Sequence, residues 1–333
     1  MKSEDVLMCS ISKWYKQFKK NTFQTYFVKL CPDFIDYLNE DCVLIPDFEE
    51  VPSLPLFHQQ MYLEIKEGLR KLCNVSFIKL NWSAPTDARW LLLNQNMQCT
   101  SVEDVYLLLK SSDRTAHDLS QPFKDCLSPI SISDVEYVLA LRKWEDICSS
   151  WEFRCFVRDR HLVGISQRDI SASWPYLRQE EETIVSSIVS FFKEKIQNFF
   201  PLTNFVFDVV RYNKEKIKIV DFNPFGITTD GLLFTWEELS ESENLDVMPQ
   251  DISVVANYFC WTNGEDGSVV FRYLKDSARI QSTSHRLNCY PIDMVLNPKD
   301  FAKSANISTE LKDSDDEDGE GERDHFKNSD VCS

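Results

Sequence analysis

Two aspartates and an asparagine lie where the sequence predicts a buried β-hairpin. Segments 205–212 and 217–223 are apolar on both faces, which is typical of buried central strands, yet they contain Asp208, Asp221 and Asn223. If the four-residue loop between the segments makes a regular turn, Asp208 faces Asp221 and Asn223 lies on the same face as Asp221. Facing carboxylates on a buried surface repel each other, so they need a cation or a proton.

The chemistry of these three side chains suggests a metal ion. Two carboxylates and an amide oxygen are hard ligands of the kind that Mg²⁺ prefers. We therefore predict a magnesium site formed by Asp208, Asp221 and Asn223. The alternative is that one acid caps a turn or pairs with a local lysine, such as Lys216 or Lys218.

Cationic side chains in other predicted strands could contact phosphate. Lys79 ends the apolar segment 75–80, and a lysine there can reach a phosphate as a point charge, although a surface lysine is the simpler explanation. Arg154 either contacts a phosphate or forms an ion pair with its neighbour Glu152. In the loop after Lys79, Trp82 either covers a nucleotide or packs in the core.

Two stretches of backbone could also contact a nucleotide. The N–H groups of Ser83 and Ala84 could donate to phosphate without a glycine-rich loop. A predicted strand at 135–144 ends in Arg142-Lys143-Trp144, where exposed backbone groups could contact an adenine edge. Taken singly, each of these signals is weak.

Composition excludes several classes of protein. The 333 residues include 53 acids and 36 bases, a net charge of −17 that argues against nucleic-acid and anionic-membrane binding. The 8 glycines form none of the usual glycine-rich phosphate motifs. The 11 cysteines contain no C-x-x-C pair and the 5 histidines are scattered, so an ordinary zinc site is not expected. Without a long apolar run or signal peptide, we expect a cytoplasmic, monomeric protein.

The elements that must position these residues alternate between helix and strand patterns, which predicts an α+β fold with mixed and antiparallel sheets. We expect a two-lobed arrangement: an N-terminal lobe at 1–144 with the candidate phosphate and adenine contacts, which the resemblance described below would make a phosphate flap and an adenine hinge, and a C-terminal lobe at 145–302 with the magnesium site. The segment 303–333 is expected to be an acidic, disordered tail, because residues 310–324 alone hold nine acids and two bases.

Six motifs occur in one order along the chain. They are F-I-K-L-N-W-S-A-P at 77–85, L-R-K-W at 141–144, E-F-R-C-F-V at 152–157, L-V-G-I-S-Q-R-D at 162–169, F-D-V at 207–209 and V-D-F-N-P-F-G at 220–226. This ordered set closely resembles the cell division cycle protein 123 family, also called the D-one-two-three family. The resemblance covers about residues 1 to 300.

The resemblance implies an ATP-grasp-like fold that binds ATP with Mg²⁺. It also implies an assembly chaperone that binds the gamma subunit of eukaryotic translation initiation factor 2 and promotes assembly of the heterotrimer, supporting translation initiation and cell-cycle progression. By motif, ATP contacts would come from Lys79, Trp82, Ala84, Pro85, Asp87, Arg142, Lys143, Trp144 and Arg154. Magnesium would be held by Asp208, Asp221 and Asn223.

The chain departs from the family pattern in two places. Thr86 stands where the family usually has a basic residue, and the stretch 41–51 is short where many members carry a long acidic insertion. Two other functions stay open at this point: an ATP-grasp carboxylate–amine ligase, and a plain protein-interaction domain. The sequence does not decide whether ATP is hydrolysed, and it identifies no catalytic residue.

Overall fold

The computed structural model describes residues 1–275, except 93–94, 128–129, 132–134, 241–244, 246–247 and 263–267. The helices are α1 (Ser3–Met8), α2 (Ile11–Phe18), α3 (Pro32–Asn39), α4 (Leu56–Lys71), α5 (Val102–Lys110), α6 (Asp113–Ser120), α7 (Pro175–Gln179), α8 (Glu181–Phe191), α9 (Trp236–Ser240) and α10 (Gln250–Ser253). The strands are β1 (Thr25–Lys29), β2 (Ser76–Lys79), β3 (Val138–Lys143), β4 (Glu152–Arg158), β5 (His161–Gln167), β6 (Phe205–Arg211), β7 (Ile217–Pro224), β8 (Ala256–Thr262) and β9 (Ser268–Leu274). None of the helices in these described residues is long and apolar enough to cross a membrane.

A three-stranded antiparallel sheet forms in the first half of the chain, in the order β1-β3-β2. Helix α4 packs across β1 and β3, because apolar residues recur along one of its faces. Gly68 lies on this face, and a Cβ there would come within 2.4 Å of Leu141 Cδ1. The close approach of α4 to the sheet therefore depends on a residue without a side chain.

A six-stranded sheet forms in the second half, in the order β7-β6-β4-β5-β9-β8. Its pairs are antiparallel except β5 with β9, which is parallel. Helix α8 packs on this sheet, and Phe200 stacks on Phe222 with ring centroids 4.0 Å apart. Trp14 of α2 contacts the same Phe222 ring at 5.3 Å, so the N-terminal helices complete the core of the larger sheet.

This architecture confirms the fold class predicted from the sequence. Apolar residues from Met61 to Leu69 recur along one face of α4, and Ser101 and Asp104 make a capping box at the start of α5. Strand β3 is shorter than the predicted segment 135–144. Helices α7 and α8 meet at Glu180. The lobe boundary at 144 stays a proposal, and the tail at 303–333 lies outside the described residues.

Candidate functional site

The β6–β7 hairpin places the two aspartates opposite each other, as the sequence predicted, but by a different register. Arg211, rather than Tyr212, pairs with Ile217. An irregularity then shifts the register by one residue at Val220, so that Asp208 pairs with Asp221. The predicted pairing at the turn was therefore wrong, while the predicted pairing of the two acids is confirmed.

The position of β7 also differs from the expectation of a central strand. Strand β7 lies at the edge of the sheet, so that only β6 of the two hairpin strands is internal. The segment before β1 covers this edge: Ile219 N–H donates to the Asn21 carbonyl at 2.7 Å, and Thr22 Oγ1 donates to the Ile219 carbonyl at 2.7 Å. This cover satisfies backbone groups of Ile219 that an edge strand would otherwise leave unpaired.

Asp208 is neutralised by arginine from the neighbouring strand. Arg154 is the cross-strand partner of Asp208, and its Nε and Nη2 each donate to one carboxylate oxygen at 2.8 Å. Arg168, just beyond β5, approaches the same carboxylate at 3.6 Å. Burial alone would raise the pKa of Asp208, but the charge and hydrogen bonds of Arg154 outweigh it and hold that pKa below its usual range.

Asp221 is neutralised by Lys79, which comes from the other sheet. Lys79 Nζ donates a short hydrogen bond to Asp221 Oδ2, and the lysine is 2% exposed. Burial lowers the pKa of Lys79 and raises the pKa of Asp221, while their mutual attraction opposes both shifts. The pair therefore links the end of β2 to the middle of β7, across the junction of the two sheets.

These side chains line one cleft with a volume of about 870 Å³, to which both sheets contribute. Of the twelve residues proposed from the sequence, eight line it: Lys79, Trp82, Ala84, Arg142, Arg154, Asp208, Asp221 and Asn223. The other four do not: Pro85, Asp87, Lys143 and Trp144. Residues distant in sequence are thus brought together at one surface, with acids and bases interleaved.

Two of the four residues outside the cleft make local hydrogen bonds. Asp87 accepts from Ser112 Oγ at 2.6 Å and from Arg114 N–H at 3.3 Å, which ties its loop to the start of α6. Trp144 donates from Nε1 to Asp146 at 3.0 Å. These contacts account for Asp87 and Trp144 without a ligand.

Arg142 lines the cleft, but its guanidinium group is already hydrogen-bonded within the protein. Its Nη1 donates to the Val220 carbonyl at 2.8 Å and its Nη2 donates to Thr22 Oγ1 at 2.9 Å. Burial lowers the pKa of Arg142 to about 10, and Asp221 opposes that shift. Because Val220 is the residue at which the hairpin register changes, Arg142 helps to fix the geometry that pairs the two aspartates.

The loop after Lys79 is held by a residue that sequence reasoning did not identify. Asp118 of α6 accepts from the backbone N–H of Trp82 at 3.2 Å and of Ser83 at 2.8 Å, and from Ser83 Oγ at 2.7 Å. The Ser83 N–H is therefore already paired and does not await a phosphate. Trp82 donates from Nε1 to the Val6 carbonyl at 2.7 Å, so one edge of its ring is fixed while the ring lines the cleft.

The lining side chains that sequence reasoning missed include Phe77, Glu152 and Arg168. Phe77 and Arg168 lay within the recognised motifs, but nothing in their spacing assigned them to a site. Glu152 was read only as a partner for Arg154, whereas Arg154 pairs with Asp208. Burial raises the pKa of Glu152 to about 7, with the nearby charge of Arg168 opposing the shift.

The oxygen atoms of Asp208, Asp221 and Asn223 are ligands of the type that magnesium binds. Asp208 and Asp221 face each other, and the side-chain amide of Asn223 lies 3.5 Å from Asp208 Oδ2. No group of three or more His, Cys, Asp or Glu able to hold a metal occurs in the described part of the chain. A metal ion at Asp208 and Asp221 would therefore need the Asn223 oxygen, and it would have to replace Lys79 at Asp221.

Fold and cleft together define an α+β protein with two sheets and an ion-paired cleft to which both contribute. The D123 family model matches residues 49–297. A "Translation initiation factor eIF2 assembly protein" of Xenopus laevis is 35% identical over 325 residues, covering 89% of this chain and 92% of the relative. The protein of the same name from Danio rerio is 38% identical over 275 residues, covering 74% and 78%.

A solved structure agrees with this grouping. C-terminally truncated Cdc123 from Schizosaccharomyces pombe is 34% identical, with a TM-score of 0.65, covering 75% of this chain and 96% of that one. The chain belongs to the D123 family. The resemblance seen in the sequence is thereby confirmed.

Proposed function

We propose that this protein binds ATP with Mg²⁺ in the cleft and serves in the assembly of eukaryotic translation initiation factor 2 by binding its gamma subunit. The observation that carries the ATP proposal is the convergence of Lys79, Arg154, Asp208 and Asp221 in one cleft between two sheets. The assembly role is supported by family membership and by the names of the relatives. A cytoplasmic location and a monomeric state stay predictions.

The ion pairs indicate how the cleft would accept a nucleotide with its metal. Magnesium would be held by Asp208, Asp221 and Asn223, and it would supply positive charge beside the phosphates. If Asp221 held the metal, Lys79 would lose that carboxylate as its partner, and its ammonium group would be available to a phosphate oxygen. A buried lysine without any anion would be costly, so metal and phosphate are expected to bind together.

A ligand in this cleft would contact both sheets at once. Lys79 belongs to the small sheet, whereas Asp208 and Arg154 belong to the large one. Binding would therefore stabilise the arrangement of the two sheets. When the ligand is in excess, the free energy of unfolding rises with the logarithm of the ligand concentration divided by the dissociation constant. Such stabilisation needs no hydrolysis, and it suits a protein that presents a surface to a partner.

Calorimetric titration with ATP, in magnesium and in EDTA, tests the cleft. We expect binding that requires magnesium in the wild-type protein and is lost in Asp221→Ala. Asp36→Ala is a matched control, because Asp36 is an exposed acid outside this cleft. Unchanged ATP affinity in Asp221→Ala would remove the magnesium assignment.

A pull-down with purified gamma subunit, with and without ATP and magnesium, tests the partner. We expect retention of the gamma subunit by the wild-type protein and weaker retention by Asp221→Ala. Product analysis with ATP and cell extract separates this function from the ligase alternative, since a ligase would release ADP and phosphate together with a new amide. Failure to retain the gamma subunit under every condition would contradict the proposed partner.

A further inference from the structure

A group of exposed basic side chains contributes to the lining of the same cleft. Arg89 comes from the 3₁₀ helix Thr86–Leu91, Arg114 and His117 come from α6, and Lys124 comes from the loop that follows α6. All four are exposed and all four line the cleft. We call these four residues the basic rim.

The elements that carry the rim are joined directly. Asp87, in the first turn of the 3₁₀ helix, accepts from Ser112 Oγ at 2.6 Å and from Arg114 N–H at 3.3 Å. The N-terminus of α6 is therefore bonded to the helix that carries Arg89. These hydrogen bonds fix the elements that carry Arg89 and Arg114 next to each other, so both guanidinium groups belong to the same part of the cleft lining.

The charge of the rim is not neutralised by the protein. Within the described residues, no side-chain hydrogen bond or ion pair involves Arg89, Arg114 or Lys124, although the acids Asp118 and Asp125 line the same cleft. The deeper cations differ, since Lys79 is paired with Asp221 and others with Asp208. In a chain with a net charge of −17, unpaired cations gathered at one cleft indicate an anionic ligand.

The 3₁₀ helix also sets the spacing of the rim. A 3₁₀ helix has three residues per turn, so side chains at positions i and i+3 point to the same side. Thr86 and Arg89 are such a pair, and both line the cleft. The wall that presents a neutral hydroxyl at Thr86 therefore presents a guanidinium one turn further along.

We propose that Arg89 and Arg114 bind the terminal phosphates of a nucleoside triphosphate. The inference rests on the proposed ATP function and assigns the end of the cleft at which the triphosphate lies. Guanidinium groups suit this role because they stay charged and can donate two hydrogen bonds to one phosphate. The rim makes the cleft selective for triphosphates over monophosphates.

The test compares ligands that differ in phosphate charge and in whether they carry a base. Dissociation constants for ATP, AMP and inorganic triphosphate are measured in magnesium for the wild-type protein, Arg89→Gln and Arg114→Gln. Each variant is expected to bind ATP and triphosphate about five- to tenfold more weakly, with AMP unchanged. Lys20→Gln is the matched control, because it removes one exposed positive charge outside the cleft.

A compensating change adds a second readout. Thr86→Arg in the Arg89→Gln background returns a guanidinium to the same side of the 3₁₀ helix, so ATP affinity should recover while AMP affinity stays constant. Because Thr86 and Arg89 lie at the protein surface beside the cleft, melting curves should be unaffected. Recovery of triphosphate binding together with ATP binding would identify the phosphate chain, not the base, as the group bound.

The outcomes separate this inference from the function on which it rests. Wild-type protein that binds no ATP would overturn both. Wild-type protein that binds ATP, with Arg89→Gln and Arg114→Gln binding it equally well, would overturn the rim and leave the ATP cleft standing. Equal losses for ATP and AMP would place these arginines near the base, the ribose or the α-phosphate and would likewise refute the proposal.

Discussion

Replacing Arg154 with methionine should destabilise the protein strongly, even without a ligand. The guanidinium donates to both oxygens of Asp208 at 2.8 Å and to the Asp230 carbonyl at 2.8 Å. The side chains of Arg154 and Asp208 are 6% and 9% exposed. Methionine fills similar volume but has no donor, so Asp208 would stay buried with much of its compensating charge removed.

The magnitude follows from the partners that remain. Breaking a buried ion pair on one side costs about 3–5 kcal/mol. Arg168 still approaches Asp208 at 3.6 Å, which places the expected loss near the lower limit, about 3 kcal/mol. For a chain of this size, that loss corresponds to a decrease in melting temperature of roughly 4–5 °C.

Urea denaturation and thermal melting measure this loss directly. Arg70→Met provides a control, because it removes an arginine–carboxylate pair of the same kind that is exposed to solvent. Arg70 also donates to both oxygens of a carboxylate, that of Glu67, at 2.7 and 2.9 Å, but the two side chains are 69% and 38% exposed. Removing this surface pair should leave the melting curve unchanged.

The double variant Arg154→Met with Asp208→Leu isolates the cause. If the loss comes from an uncompensated buried carboxylate, removing Asp208 as well should restore part of the stability. A loss below about 1 kcal/mol in Arg154→Met, or a double variant less stable than the sum of the single changes, would refute this account of the cleft.

Two further predictions concern the core of the small sheet. Burial lowers the pKa of His58, so the unfolded chain binds a proton at higher pH than the folded protein, and stability is lost as the pH falls from about 7 through the folded-state pKa. The melting temperature of His58→Gln should therefore decrease less between pH 7.5 and 5.5 than that of the wild-type protein, and equal decreases in the two proteins would contradict this. Gly68→Ala should destabilise the protein by about 1–3 kcal/mol although alanine favours helices, because its Cβ would lie 2.4 Å from Leu141 Cδ1 and 2.6 Å from Tyr26 Cδ1. A rise in melting temperature would contradict this and show that the sheet can move away from the helix.

Local patterns in the sequence were enough to predict most of the elements. Apolar spacing identified α4, and a proline at the first turn identified the start of α3. The capping box at Ser101 fixed the start of α5. These signals are local because they depend on hydrogen bonds and side-chain directions within one helix.

The pairing of the two aspartates was predictable only in part. Alternation along the strands placed Asp208 and Asp221 on facing positions, but the turn pairing was off by one residue. The change of register at Val220 restored the pairing, and it depends on Arg142, which reaches the Val220 carbonyl from the other sheet. A contact between residues 78 positions apart in sequence leaves no local signal.

The partners of the charged residues were decided by the tertiary structure alone. The sequence indicated that two buried acids need neutralising charge, which is a consequence of their desolvation. It did not identify Lys79 and Arg154 as the cations, because Lys79 reaches Asp221 across 142 residues of chain and Arg154 reaches Asp208 across 54. The chain's own amino acids thus determined that the hairpin must carry compensated charge, while the packing of the two sheets decided which side chains compensate it.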